Sequence, residues 1–439
     1  MIFARQVYLE RLKAREQNGL IKIITGARRA GKSYLMNELF YGYLQNKGIP
    51  QKQIIKFAFD SDEDLDLLDY YLPSEPSRII QKNGFYLVNS KKFRTYIKEK
   101  TNDTDDFYLL LDEVQLLENF TGTLNSFMQH KNFDIYVTGS NSRFLSSDIA
   151  TEFKGRGTEI HVLPLSFSEY CEGLKLSPET AWKSYIITGG IPLVALMKTE
   201  EEQVSYLKNL CQETYLKDII AHNGIRKLTE LSETFDMLSS MIGSPVNALK
   251  LSNTFKSLTK KNITDDTILN FTDYFEDAFL ISKAKKYNIK GKKYISSPFK
   301  IYFEDIGVRN ARLNFRQIEE SHIMENIIYN ELRYRGFSVD VGEVNVSEKT
   351  DRIDSNRKSI YAQKSLEVDF IASLGSKKIY VQSTLNMDSP EKQIQEKRSL
   401  CHIDDSFKKI IITKNGLKPG VDENGIITID LFDFLKEAL

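Results

Sequence analysis

Short apolar runs alternate with amphipathic stretches over the first 165 residues of the chain. Charged or turn-forming residues bound each run, and the runs are Ile21–Thr25, Ile54–Phe59, Phe107–Leu111, Ile135–Thr138 and Ile160–Leu163. The chain between successive runs is long enough for a crossover helix, which is typical of parallel strands covered on both faces. We therefore predict an α/β fold with a parallel sheet over residues 1–165, closing near Pro164.

Residues 166–320 have a helical pattern instead. Apolar residues recur at helical spacing in Tyr206–Ile220 and Leu228–Met241, and the aromatic-rich stretch 268–281 is also amphipathic. A hairpin pattern, SKAKKYNIKGKKYISS, follows and turns at residues 288–291. Helices followed by such a hairpin predict a helical region with a winged-helix module.

The last region, residues 321–439, begins with a helix and continues with strands. The helix HIMENIIYNELRYRG ends at Gly336, and a second helix is predicted over 388–402. The polar stretch 345–365 is predicted to be an exposed loop. The strand candidates are Phe337–Val341, Leu366–Ala372, Lys378–Ser383, Lys409–Thr413 and Ile426–Ile429. This pattern predicts a third domain of α/β type.

The composition narrows the class of protein. The 439 residues correspond to about three domains. Because 60 Lys and Arg residues balance 60 Asp and Glu residues, a uniformly basic nucleic-acid binder is excluded, and any nucleic-acid surface must be local. Three distant cysteines (Cys171, Cys211 and Cys401) exclude a disulfide framework. The charged N-terminus and the shortness of every apolar run predict a cytoplasmic protein with no membrane partner.

A glycine-rich loop follows the first apolar run. The segment GARRAGKS at residues 26–33 fits the GxxxxGK[ST] pattern, with a strand before it and a helical stretch after it. Glycines let backbone N–H groups turn inward around phosphate oxygens, and Lys32 can reach the β- and γ-phosphates. We therefore predict an ATP site whose binding residues are Gly26, Ala27, Arg28, Arg29, Ala30, Gly31, Lys32, Ser33 and Tyr34.

An acidic pair at the end of the third run completes the nucleotide site. Asp112 ends the strand FYLLLD and, together with Ser33, is predicted to hold Mg²⁺. Glu113 follows directly and is predicted to orient and deprotonate the attacking water. The loop and the acidic pair together predict ATP hydrolysis.

Three further polar residues have two interpretations each. Ser140 and Asn141 follow the fourth run, where either can hydrogen-bond the γ-phosphate or the lytic water, or can belong to an ordinary turn. Arg156 precedes the fifth run. It is either a catalytic arginine finger that reaches a neighbouring subunit's γ-phosphate, which requires a homo-oligomer, or a solvated loop residue.

Together these motifs resemble those of bacterial and archaeal AAA-like P-loop ATPases. The resemblance rests on GARRAGKS, LLLDEVQ, VTGSNSRFL and PLSFSEY, and it continues through ITGGIP, FEDAFLI, KIYFEDIGVRNA and EVDFIA. It implies a sheet of the ASCE class, in which the strand before Ser140 lies between the P-loop strand and the strand of Asp112. It also implies a winged-helix middle and a C-terminal domain of unknown function with a restriction-endonuclease-like, PD-(D/E)xK fold.

The nuclease-like end departs from the pattern of an active site. Asp369 supplies the first acid, but Gln382 stands where the second acid belongs, and Thr384 stands where a lysine belongs. Because glutamine is a neutral and weaker Mg²⁺ ligand than a carboxylate, we predict a degenerate domain without nuclease activity. The candidate substitutes for the missing groups are Glu325, Glu343 and Lys364.

The predicted hairpin is rich in lysine, with six lysines within residues 283–293. They either follow the phosphate backbone of DNA or form a solvated wing that blocks edge pairing. The whole pattern predicts an ATPase with ATP and Mg²⁺ as cofactors that couples nucleotide state to a partner, with DNA as the candidate. The alternatives are an ATP-gated DNA nuclease of a defence type and a slow nucleotide switch that binds protein partners.

Overall fold

The computed structural model describes residues 3–81, 86–139, 153, 155–259, 263–353, 359–415 and 419–436. The chain divides into two compact units. The first unit contains residues 1–164, 217–224 and 277–279, and the second contains residues 165–216, 225–276 and 280–439. Two short segments from much later in the sequence therefore fold with the first unit.

A parallel five-stranded sheet forms the centre of the first unit. The strands of this unit are β1 (Ile21–Thr25), β2 (Ile54–Ala58), β3 (Arg78–Ile80), β4 (Tyr86–Val88), β5 (Phe107–Asp112), β6 (Phe133–Thr138) and β7 (Gly157–His161). The sheet has the order β2-β5-β6-β1-β7 with every neighbouring pair parallel, while β3 and β4 form a separate ribbon. The predicted parallel sheet is confirmed, and β6 lies between β1 and β5.

The first unit also contains helical segments, most of which connect these strands. They are Gln6–Lys13, Lys32–Tyr34, Leu35–Phe40, Tyr41–Asn46, Gln51–Gln53, Asp62–Asp69, Ser90–Lys100, Val114–Leu116, Phe120–Phe127 and Lys217–Asn223. Residues 32–46 form one continuous helix whose middle turn, Leu35–Phe40, is a π-helix. Capping residues fix two of the starts, because the side chains of Ser61 and Asn89 accept hydrogen bonds from the first-turn N–H groups.

The core of the first unit lies against its sheet. All five residues of β1 and all six residues of β5 are buried. Phe57, Phe93 and Val137 belong to the same apolar cluster as side chains from both strands. Strands buried on both faces appear in a sequence as continuous apolar runs, which is why both could be located from the pattern alone.

A nine-stranded sheet forms the second unit. Its strands are β8 (Pro245–Val246), β9 (Ile281–Asn288), β10 (Lys293–Phe303), β11 (Ser338–Ile353), β12 (Ser359–Leu374), β13 (Lys377–Asn386), β14 (Lys408–Asn415), β15 (Gly420–Val421) and β16 (Ile426–Asp430). Their order is β15-β16-β14-β13-β12-β11-β9-β10-β8. In the described part of the chain, each edge strand has two residues.

The helical segments of the second unit lie before, between and after these strands in the sequence. They are Phe167–Leu174, Pro178–Thr188, Pro192–Ala195, Glu200–Asn209, Leu210–Leu216, Leu228–Ser239, Ala248–Thr259, Asp265–Asp277, Ile306–Arg312, Glu320–Tyr334, Pro390–Cys401 and Leu431–Lys436. Gly336 adopts a positive φ of 93° just after the helix 320–334, as predicted for a helix stop. None of the described helices is both long enough and apolar enough to cross a membrane.

The prediction of an exposed loop over residues 345–365 is wrong for most of that stretch. β11 extends to Ile353 and β12 begins at Ser359. The two strands pair along this stretch as a long antiparallel ribbon. Val344 and Val346 alternate with polar neighbours and are buried, so the period of two was present in the sequence. The number of charged residues in the stretch hid it. β9 also pairs in parallel with β11, so regions 166–320 and 321–439 contribute to one sheet.

Candidate nucleotide site

The glycine-rich loop begins directly after β1. Gly26 and Gly31 have positive φ angles of 135° and 96°. A side chain at Gly26 would place its Cβ 2.2 Å from the carbonyl oxygen of Val162, so only glycine fits there. Both predicted glycines therefore occupy positions that require glycine, and the backbone is free to curve around a ligand.

The ammonium group of Lys32 lies inside this loop. Lys32 is 5% exposed, and its Nζ donates 2.9 Å hydrogen bonds to the carbonyl oxygens of Gly26 and Ala27. Phosphate oxygens held by the loop would require positive charge at this position. The structure thus places Lys32, the lysine predicted to bind phosphate, inside the loop.

Asp112 is brought together with Ser33 as predicted. The Ser33 hydroxyl donates to Asp112 Oδ1 at 3.1 Å, and Asn37 Nδ2 donates to Asp112 Oδ2 at 3.1 Å. The Thr138 hydroxyl also donates to Oδ1. Burial raises the pKa of Asp112, while the hydrogen bonds from Thr138 and Ser33 oppose the rise. Asn37 and Thr138 are site residues that the sequence analysis missed.

Glu113 has a strained backbone next to these groups. Its φ is 54°, in the left-handed region, and its N–H donates to the Thr138 hydroxyl at 3.1 Å. Its carboxylate accepts a hydrogen bond from the side chain of the buried Gln115. Burial, followed by the charge of Glu113, raises the pKa of Asp60. A non-glycine residue kept at positive φ beside a buried acid is the kind of strain found at functional sites.

The remaining loop residues have separate surroundings. Arg28 forms a 2.9 Å ion pair with Asp218, and the two side chains are 47% and 40% exposed. Arg29 is exposed with a φ of 69°, and Ala30 is fully buried. Burial raises the pKa of Tyr34. Ser140 and Asn141 lie outside the described residues, so Thr138 is the described polar residue nearest to them at the end of β6.

Arg156 lies at the opposite end of β1 from the loop. Its carbonyl oxygen accepts a 2.9 Å hydrogen bond from the N–H of Ile21, the first residue of that strand. Five strand residues at about 3.3 Å each separate the two ends by about 16 Å, which is more than an arginine side chain spans. Arg156 is also exposed. It therefore lies out of reach of the loop in its own chain.

A second polar cluster lies on the sheet of the second unit. Asp369 on β12 is 8% exposed, and it accepts hydrogen bonds from Gln382 Nε2 at 3.1 Å and from the N–H and hydroxyl of Ser383 at 2.8 Å each. Burial, followed by the charge of Glu325, raises the pKa of Asp369 to about 7, against the opposing effect of Lys300. The predicted Asp369 and Gln382 do meet, but as a hydrogen-bonded pair.

Lys300 on β10 is the basic residue of this cluster, and the sequence analysis missed it. It is 4% exposed, and its Nζ lies 3.0 Å from Glu325 and 2.7 Å from Glu367. Burial alone would lower the pKa of Lys300, but the charges of Glu325, Asp369 and Glu367 raise it above its usual value. The signal available was a single lysine within the apolar stretch PFKIYF.

The other proposed substitutes have different partners. Lys364 pairs with Glu348 at 3.6 Å, and Glu343 pairs with Lys286 at 3.0 Å. Among the residues that the structure describes, no group of three or more His, Cys, Asp and Glu side chains is arranged to hold a metal ion.

The lysines of the hairpin divide into paired and exposed residues. Lys283 pairs with Asp273 and Glu276. Lys286 pairs with Glu343 as described above, and the exposed Lys290 lies 3.8 Å from Asp404. By contrast, Lys285, Lys292 and Lys293 are exposed. The positive surface available to a partner is therefore smaller than the six lysines suggest.

Two family models match most of the chain between them. A family described as an AAA domain matches residues 18–171, and a family described as a domain of unknown function, DUF8612, matches residues 179–319. The first match covers the loop, Asp112 and Glu113, and it supports the predicted AAA-like P-loop ATPase. The domain of unknown function lies in the middle of the chain and precedes the C-terminal region 321–439.

Two curated relatives align with this chain over most of their own length. A protein of Haemophilus influenzae described as uncharacterized is 30% identical over 442 residues, which is 99% of each chain. A protein of Methanocaldococcus jannaschii, also described as uncharacterized, is 28% identical over 388 residues, covering 85% of this chain and 77% of the relative.

Solved structures resemble the chain only loosely. The ORC2 protein of Aeropyrum pernix, solved with ADPNP and ADP, is 12% identical, with a TM-score of 0.36 over 75% of this chain and 93% of its own. The ORC1 protein of the same organism, solved with DNA, is 10% identical, with a TM-score of 0.30 over 72% of this chain and 93% of its own. Both scores are too low for a shared overall fold to be inferred.

Proposed function

We propose that this chain, which belongs to one family with the uncharacterized Haemophilus influenzae protein and matches an AAA domain over residues 18–171, hydrolyses ATP to ADP and phosphate. One observation carries the proposal: Ser33, Asp112 and Thr138 converge beside Glu113 through hydrogen bonds. They do so at the carboxyl ends of β1, β5 and β6, which is the edge of a parallel sheet where ligands bind.

The residues present fit ATP and Mg²⁺. Gly26 and Gly31 keep side chains out of the loop, and the Ser33 hydroxyl and Asp112 carboxylate are the hard oxygen ligands that Mg²⁺ prefers. Bound Mg²⁺ would neutralise the charge that develops on the phosphate oxygens. Lys32 would exchange its loop carbonyl partners for phosphate oxygens, and Glu113 would orient a water molecule and accept its proton.

Substitution of Glu113 tests the proposal. Glu113→Gln should bind ATP about as tightly as the wild type but lose at least about 100-fold in turnover, because the water loses its base while Asp112 and Ser33 stay in place. Lys32→Ala should lose ATP binding itself. Glu63→Gln, an exposed acid on the helix Asp62–Asp69, is the matched control and should turn over ATP normally. Equal turnover in Glu113→Gln and the wild type would contradict the proposal.

The second unit is proposed to act on a partner, with DNA as the candidate. The order of elements supports a winged-helix module: helix 228–239, β8, helices 248–259 and 265–277, and then the β9–β10 hairpin, with β8 beside β10. Helix 320–334, the antiparallel strands β11 to β13, helix 390–401 and the parallel β14 support a restriction-endonuclease-like end.

ATP turnover in the presence of DNA tests this coupling. We expect double-stranded or single-stranded DNA to raise the turnover of the wild type and to leave Glu113→Gln inactive. Turnover that is unchanged by both forms of DNA, at salt low enough for phosphate contacts to persist, would remove DNA as the partner. The proposed hydrolysis would stand in that case.

A further inference from the structure

Phe279 packs against the phosphate-binding loop although it lies far along the chain. Its ring forms one apolar cluster with Ala27 and Ala30 of the loop. It is 5% exposed, and its ring centroid lies 5.0 Å from that of His161, on β7. The segment 277–279 folds with the first unit for this reason.

The backbone at Phe279 is unusual for an aromatic residue. Its φ is 56°, in the left-handed region that bulky side chains rarely adopt. Such a conformation costs about 1–3 kcal/mol and persists only where the surroundings determine it. The apolar contact with Ala27 and Ala30 and the ring contact with His161 are among the interactions that offset this strain, so the position of Phe279 is linked to the loop.

Phe279 is joined to the lysine-rich hairpin without a flexible linker. Leu280 follows it, and the N–H of Leu280 donates to the carbonyl oxygen of Phe275 at 3.0 Å. The carbonyl oxygen of Leu280 in turn accepts a 3.0 Å hydrogen bond from the N–H of Glu304. β9 begins at the next residue, Ile281. Only Leu280 therefore separates Phe279 from the start of β9.

The loop side of this contact is linked to phosphate binding. Lys32 Nζ donates to the carbonyl oxygen of Ala27, on which Phe279 packs. Phosphate oxygens compete for the same ammonium group. The neighbouring Arg28 forms its exposed ion pair with Asp218, which belongs to the other late segment of the first unit, residues 217–224.

We propose that Phe279 is a positioning residue that couples the conformation of the phosphate-binding loop to the hairpin β9–β10. This inference rests on the proposed binding of ATP at the loop. Its packing pre-organises Ala27 and Ala30 for the nucleotide, and any change in the loop on binding is transmitted through Leu280 to β9. By thermodynamic reciprocity, a partner bound at the hairpin then changes the affinity for nucleotide.

Hydrogen exchange with and without a non-hydrolysable ATP analogue tests the coupling, with binding measured separately by titration of a fluorescent ATP analogue. In the wild type, the ATP analogue should change the exchange of residues 281–288. Phe279→Ala should still bind, about fivefold or more weakly because the loop is less ordered, but the change at 281–288 should vanish. Phe279→Leu should retain it, since leucine keeps an apolar contact with the alanines.

Each outcome decides something different. Wild-type protein that binds the analogue without any change at residues 281–288 would overturn the coupling and leave the proposed ATPase intact, even if Phe279→Ala did not fold. The same change in Phe279→Ala as in the wild type would also overturn it. Wild-type protein that binds no nucleotide would overturn the proposed function and this inference together.

Discussion

The carboxylate of Asp305 accepts a 2.7 Å hydrogen bond from the backbone N–H of Gly190, and this bond joins two motifs that are remote in the sequence. Asp305 also caps the helix Ile306–Arg312 by accepting from the N–H of Val308 at 2.9 Å. A Cβ at Gly307 would lie 2.1 Å from the carbonyl oxygen of Thr188, so the two backbones meet directly. The motifs ITGGIP and FEDIG are therefore two halves of one structural junction.

We predict that Asp305→Asn lowers the free energy of unfolding by about 1–3 kcal/mol, because an amide nitrogen would face N–H donors in a buried position. Burial raises the pKa of Asp305 to about 6, against the lowering effect of its backbone hydrogen bonds. A raised pKa means that the folded state holds a proton which the unfolded state has released, so the wild type loses stability as the pH rises from about 4 to about 6.

The difference in melting temperature between wild type and Asp305→Asn should therefore be larger at pH 5 than at pH 7.5. Thermal unfolding at the two pH values measures this difference. Because every other titrating group is the same in both proteins, the contribution of those groups to the difference cancels. A difference that grows with pH would contradict the raised pKa.

Lys300 is predicted to be the permanent counter-ion of the acidic cluster around Asp369. Lys300→Met leaves Glu325, Glu367 and Asp369 without that charge and should destabilise the protein by about 3–5 kcal/mol at neutral pH. Because the remaining carboxylates then lack a cation, Mn²⁺ should raise the melting temperature of the variant more than that of the wild type.

Lys364→Met is the control for this experiment, since Lys364 is exposed and pairs with Glu348. It should unfold like the wild type and gain nothing from Mn²⁺. Equal Mn²⁺ shifts in Lys300→Met and the wild type would show that the lysine does not occupy a cation position. Metal-dependent DNA cleavage by the wild type that is lost in Asp369→Ala would contradict the predicted lack of nuclease activity.

Arg156 is predicted to act across an interface between copies of the chain, because it lies about 16 Å from the loop of its own chain. Arg156→Ala and Glu113→Gln should each be inactive alone. A mixture should recover part of the turnover, since the Glu113→Gln subunit supplies an intact arginine to the intact site of the other.

A mixture of Lys32→Ala with Glu113→Gln is the control for subunit mixing. Each change disables the nucleotide site of its own subunit, so no intact site is present and this mixture should stay inactive. If Arg156→Ala alone turns over ATP like the wild type, Arg156 is a solvated loop residue.

The exposed lysines at the hairpin tip are predicted to contact the phosphates of DNA. Lys292→Glu combined with Lys293→Glu should weaken DNA binding and make the slope of log affinity against log salt less negative by about 2, one for each lost phosphate contact. The control is Lys377→Glu combined with Lys408→Glu, which changes the same charge at other exposed positions. Binding titrations at several salt concentrations measure both, and equal effects of the two pairs would remove the hairpin from the proposed interface.

The nucleotide site was accessible to sequence reasoning because its parts are local. Gly26 to Ser33 form one loop after one strand, and Asp112 and Glu113 are adjacent at the end of another. Both strands are buried on two faces, so their continuous apolar composition revealed them. Thr138 escaped notice because a threonine at the end of a strand has no distinctive pattern.

Only part of the cluster around Asp369 could be predicted from the sequence, and the reason is different. Asp369 and Gln382 lie on consecutive strands and could be paired by spacing, but Lys300 lies on β10, which is remote in the sequence. Its position depends on β9 joining β11 in one sheet, which is a long-range pairing that no local pattern encodes. The bond between Asp305 and Gly190 was missed in the same way, although both motifs had been recognised.

The edges of the nine-stranded sheet limit how partners can attach to the second unit. In the described part of the chain, the outermost strands β8 and β15 contain two residues each, so neither offers a row of free N–H and C=O groups long enough for a foreign strand. At β8 and β15 a peptide or a second copy therefore finds too few backbone groups for strand addition, whereas the β11–β12 ribbon continues beyond its pairing with β9 and β13. Recognition at these two outermost edges must therefore use side chains, where single substitutions are able to change specificity.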